Sequence, residues 1–110
     1  NNNLVESTKE KGTILFSGLE SIKNKYSGRV SYVLGKGLIA AILFKKPNTQ
    51  TPDGNFTSKV AERCMQKGLL VVHTGRESIK IGPPLTISNE ALVEGISVLE
   101  ESINEIIREE

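Results

Sequence analysis

Apolar residues recur at helical spacing through the first quarter of the chain. Leu4, Leu15, Leu19, Ile22 and Tyr26 fall within about 60° of arc on a helical wheel, with Val5, Gly12 and Phe16 beside them. Ile14 points away from that stripe. It is either a stray apolar residue on an ordinary surface helix or, with Phe16, a contact for a partner surface absent from this chain. Ser27-Gly28 then closes the helix, Gly being the usual residue just past a helix end. Val30 to Leu34 is a short β-favouring run. Gly35-Lys36-Gly37 joins it to the unbroken apolar run Leu38-Ile39-Ala40-Ala41-Ile42-Leu43-Phe44. That run has strand length, and its lack of polar alternation predicts cover on both faces, as for a central strand flanked by helices.

The second half repeats the grammar. Asn48 to Asn55 holds Pro52, Asp53 and Gly54, the chemistry of an exposed turn. Thr57 is placed to cap a helix running to Lys67, with Val60, Ala61, Cys64 and Met65 on its inner side. Leu69 to His73 predicts a strand, Thr74 to Glu77 a turn, and Ser78 to Ile81 a further strand that Gly82-Pro83-Pro84 ends. Ser88 caps a last helix with Glu90 in its first turn. There Leu92, Ile96, Leu99, Ile103, Ile106 and Ile107 form a stripe about 100° wide, the width of a core-facing helix. Its other face is acidic, and Glu109-Glu110 at the negative end of the helix dipole predict fraying. The order is αββαββα. Short connections make this an α+β fold, a small antiparallel sheet of three or four strands packed with helices, spanning residues 1–110 as a single domain.

Composition narrows the function classes. A net charge of +1 from 14 basic and 13 acidic side chains lacks the basic excess that a phosphate backbone attracts, so no nucleic-acid partner is expected. An RNA-binding sheet would want exposed aromatics, and there are only three Phe, two Tyr and no Trp. No apolar stretch approaches the ~20 residues of a membrane span. A single cysteine excludes an internal disulfide and a multi-cysteine metal site, and the absence of a secretory signal makes a reducing cytoplasm the expected location. The chain opens Asn1-Asn2-Asn3-Leu4 rather than on methionine, which fits a piece of something longer.

Few residues carry chemistry. Gly35-Lys36-Gly37-Leu38-Ile39-Ala40 has the spacing of a dinucleotide-binding turn, but no helix follows the second glycine, so a tight hairpin is expected instead. His73 is the sole histidine and reads as a structural strand-end residue. Cys64 reads as a buried, unreactive thiol. Asn55-Phe56-Thr57 fits a glycosylation sequon but reads as loop and cap, and Lys45-Lys46 as a solvated strand end. Lys80 is the cation of interest. It lies in a strand beside the rigid Gly82-Pro83-Pro84 turn and can meet a carboxylate as a point charge, though from composition alone it reads as a solvated lysine.

Gly35-Lys36-Gly37-Leu38, Lys67-Gly68-Leu69-Leu70-Val71 and Ile79-Lys80-Ile81-Gly82-Pro83-Pro84-Leu85-Thr86-Ile87, in this order and spacing, together resemble one known sequence. It is the C-terminal small domain of class III pyridoxal-phosphate aminotransferases, the group with the ornithine, acetylornithine and 4-aminobutyrate enzymes. The likeness covers nearly the whole chain, with Asn3-Leu4-Val5-Glu6 resembling the start of the domain's first helix. It implies a homodimeric, cytoplasmic enzyme that moves an amino group from an amino-acid or amine donor to a keto acceptor through pyridoxal 5'-phosphate. The family's Schiff-base lysine, pyridine-facing aspartate and most phosphate contacts lie in a large domain, and none has a matching motif here. The resemblance therefore implies no catalytic, cofactor-binding or metal-binding residue in this chain, no cofactor bound to it alone and no activity alone. Its partners would be the missing large domain and a second subunit. Lys80 occupies the position of an arginine that in this family often binds the substrate carboxylate, and Leu34 replaces another arginine common before Gly-Lys/Arg-Gly. A lysine there keeps the charge and loses the paired hydrogen bonds. The competing reading is a free-standing α+β module that binds a small ligand or a protein without catalysis.

Overall fold

A computed structural model describes residues 2–36, 39–68, 72–73, 78–82 and 87–110. Its elements follow the order α1 (Asn2–Lys25), β1 (Val30–Lys36), β2 (Ile39–Phe44), α2 (Gly54–Gln66), β3 (Val72–His73), β4 (Ser78–Ile81) and α3 (Asn89–Glu109). The four strands form one antiparallel sheet in the order β1-β2-β4-β3. The class is α+β, as the alternation of periodicities predicts. Leu69 to Val71, which the expected third strand includes, lie outside the described residues, as do Thr74 to Glu77 and Pro83 to Thr86.

The helices stack on one side of the sheet. α1 packs on β1 and β2, α2 packs on β2, β3 and β4, and α3 lies against α1 and α2. The core fills the space between: Leu15, Leu19 and Ile22 of α1, Ala40, Ile42 and Phe44 of β2, Val60 and Cys64 of α2, and Leu99 and Ile103 of α3 are all buried. Val30 and Val33 both enter this core from β1 although they are three residues apart. A bulge between Val30 and Tyr32 makes that possible, because one extra residue shifts the alternation.

Four expectations need correction. β2 is the central strand, but only its Ala40, Ile42 and Phe44 side is covered; Ile39 on the other side is 54% exposed. Second, Ile14 is drawn inward and packs against the core, while Phe16 is 38% exposed. α1 touches both the sheet and α3, which widens its buried arc beyond the stripe. At the α3 contact a Cβ on Gly18 would stand 2.7 Å from Ile96 Cδ1, so only glycine allows this approach. Third, α2 begins before Thr57. Asp53 is its N-cap and accepts from the Phe56 backbone N–H at 3.0 Å, while the Thr57 hydroxyl donates back to the Asp53 carbonyl at 2.8 Å. Met65, expected on the inner side of α2, is instead exposed, being about 100° round from Cys64. Fourth, the end of α3 is tied down rather than frayed, because Glu109 pairs with Arg63 and Glu110 with Arg29. Ser88 does cap α3, its hydroxyl accepting from the Ala91 N–H at 3.0 Å.

Candidate functional site

Among the described residues every helix lies on one side of the sheet, and the other face is largely exposed. Antiparallel partners put their side chains on the same face, so the register reads out what that face displays. One cross-strand row runs Leu34, Ala41, Lys80 through β1, β2 and β4. The next row runs Tyr32, Leu43, Ser78. Leu34 is 53% and Tyr32 46% exposed, Ala41 and Leu43 are half-buried, and Lys80 is exposed. Lys80 thus sits within an apolar surface, and among the described residues no carboxylate pairs with it.

That arrangement has a definite chemical capacity. An ammonium with its carboxylate sites unfilled can accept an anion, and aliphatic neighbours that displace water strengthen the attraction. The lone candidate singled out from the sequence is therefore on the open face. The row around it was missed by reading elements one at a time. A two-residue connection between Lys36 and Ile39 fixes the register, so counting outward from Gly37-Leu38 places Leu34 opposite Ala41. The same pairing makes this segment a hairpin, with no helix to cradle a dinucleotide; Gly37 and Leu38 themselves lie outside the described residues.

The other singled-out residues do not converge on Lys80. Cys64 is fully buried, and burial pushes its thiol up, outweighing the Ser102 hydrogen bond and the nearby Lys67 charge. A thiol so held is a poor nucleophile. Asp53, the only aspartate, caps α2 and pairs with Arg29 at 3.1 Å. His73 belongs to β3, its backbone paired with Ile79. No group of three or more potential metal ligands gathers among the described residues. No helix among them is long and apolar enough to cross a membrane.

Comparison with known proteins gives a consistent picture. The family described as Aminotransferase class-III matches residues 1–103. The mitochondrial acetylornithine aminotransferase of Debaryomyces hansenii is 36% identical over 106 residues, which are 96% of this chain and 20% of that protein. The chain thus spans about a fifth of the length of that relative. Among solved structures, the acetylornithine aminotransferase of Elizabethkingia anophelis superimposes with a TM-score of 0.81 at 30% identity, covering 94% of this chain and 25% of that one. A transaminase from the marine bacterium Virgibacillus gives 0.86 at 26% identity over 98% of this chain and 26% of its own.

Proposed function

Because the chain belongs to the class III aminotransferase family, we propose that it is the C-terminal small domain of a pyridoxal-phosphate-dependent aminotransferase, with its open sheet face forming part of the substrate-binding wall. Lys80 holds the carboxylate of the amino or keto substrate, and the helical layer behind braces the sheet. The observation that carries this reading is the largely exposed apolar face of β2 and its neighbours with the Lys80 ammonium set in it, unpaired with any carboxylate among the described residues. A domain that worked alone would leave such a face costly in water; a domain completed by a further region would not. The partners are then a large cofactor-binding domain and a second subunit, in a cytoplasmic homodimer.

The described residues do not fit pyridoxal phosphate by themselves, which supports placing that site in the missing region. Asp53 is committed to Arg29 and the α2 cap, so it is not free to face a pyridine nitrogen. A groove of about 540 Å³ between α1 and α3 contains Lys25, Glu100 and Arg108. Yet the hydrogen bond and charge of Glu100 push the Lys25 ammonium up, which is the opposite of what an imine-forming lysine needs.

The test is Lys80→Ala in the intact enzyme. Loss of one charge-assisted contact should raise KM for carboxylate-bearing substrates about tenfold or more, with a smaller effect on kcat. Unchanged kinetics for every carboxylate donor and acceptor removes Lys80 from the site.

A further inference from the structure

We propose that the Ser78 hydroxyl is a second donor to the substrate carboxylate, sharing it with the Lys80 ammonium. The inference rests on the reading of Lys80 given above and concerns its neighbour on the same strand. β4 alternates strictly: Ile79 and Ile81 enter the core, so Ser78 and Lys80 both stand on the exposed face of the sheet. Two residues of antiparallel strand separate their backbones by about 6.8 Å. Ser78 is half-buried, and among the described residues no hydrogen bond engages its hydroxyl. The cross-strand partners of the pair are Leu43 and Ala41 on β2, with Val72 of β3 at the other side of Lys80. None of the three side chains carries a polar group that would compete for either donor. Tyr32, the other hydroxyl in the row of Ser78, lies beyond Leu43 on β1.

A lysine where a guanidinium would make two hydrogen bonds leaves a deficit that an adjacent hydroxyl fills. The ammonium is a point charge on a flexible four-carbon stem, so it attracts a carboxylate without fixing its plane. That stem can lean along the strand toward Ser78, whose own short side chain keeps its hydroxyl close to the sheet. One carboxylate oxygen then accepts from Lys80 and the other from Ser78, and an O–H donor to an ionised acceptor makes a short, strong bond. Serine loses little rotamer freedom in doing so, since it has one heavy-atom torsion and sits on a strand that Ile79 and Ile81 anchor. The charge supplies attraction and the hydroxyl supplies direction.

The experiment measures propanoate as a competitive inhibitor of the intact holoenzyme carrying Ser78→Ala, Ser78→Thr, Lys80→Ala or Ser78→Ala with Lys80→Ala. Ser78→Ala should weaken inhibition about fivefold or more, and Ser78→Thr, which keeps the hydroxyl, should stay within about twofold of the unaltered enzyme. In the Lys80→Ala background the same serine change should cost less than about twofold, because two donors to one carboxylate are coupled. A loss of packing alone would be felt equally in both backgrounds. If Lys80→Ala weakens propanoate but Ser78→Ala does not, or if the serine effect is the same with and without Lys80, the shared grip is wrong and the wall stands. If Lys80→Ala has no effect, the wall reading and this inference fall together.

Discussion

Arg29 shows how one side chain organises the domain away from the open face. Only 8% of the side chain is exposed, and a guanidinium so buried must be fully partnered. Its Nε donates to the Lys45 carbonyl at 3.1 Å, Nη2 to Asp53 at 3.1 Å, and Nη1 to Glu110 at 2.5 Å. Its flat face lies 4.0 Å from the Phe56 ring centroid, and Phe56 meets Phe44 edge-on at 5.1 Å. One residue thus joins the start of β1, the end of β2, the α2 cap and the end of α3. Arg29→Ala should cost about 3 kcal/mol in urea unfolding, because Asp53 is then left partly buried without its cation. Arg29→Lys should recover part of the loss, since the charge returns without the planar fork. A change within about 0.5 kcal/mol for Arg29→Ala, the range of ordinary surface substitutions, would show that the network is incidental. None of this was legible in the sequence: the partners stand 24 and 81 positions away, and Pro52-Asp53-Gly54 reads as a turn.

Elements were more legible than their surroundings. α3 follows its own stripe, with Leu92, Leu99, Ile103 and Ile106 buried, because an unbroken 3.6-residue pattern has a single solution. The acidic face beside that stripe reads as solvated, yet it forms a seam with α2. Arg63 pairs with Glu105 and Glu109, and Lys67 with Glu101 and Glu105. Periodicity places the glutamates on a face; it does not say which helix lies against them. The hydrogen bond from Lys67, followed by that from Arg63, holds the Glu105 carboxyl below its ordinary value of 4.5. A lowered folded-state value means that the contribution of Glu105 is complete above about pH 4.5 and fades as acid titrates it below that point. Thermal midpoints should therefore fall on acidification below pH 4.5, and Glu105→Gln should lower the midpoint at pH 7 while flattening that acid limb. An acid limb identical in the two proteins would remove Glu105 from the seam's energetics. The opposite partners behave conversely: Glu101 and Glu105 raise the Lys67 ammonium above 10.5, so its contribution persists through neutral pH and is lost only in strong base.

At the scale of the whole molecule, the governing feature is asymmetry. Among the described residues, three helices cover one face of a four-stranded sheet, and the other face carries Tyr32, Leu34, Ile39 and Leu43 around Lys80. The all-apolar run of β2 makes sense on this view. Its inward residues serve the core described here, and on the proposed function its outward residues would meet a surface supplied by a further region. A sequence pattern reports that both faces of a strand are to be buried but not by what, which is why the run predicted helices on both sides. Hydroxyl-radical footprinting tests the claim directly, because it reads side-chain exposure one residue at a time. Tyr32, Leu34 and Ile39 should be labelled in this chain alone and protected in the intact enzyme, with Met65 labelled equally in both. Equal labelling of the three sheet residues in the two forms would contradict the account.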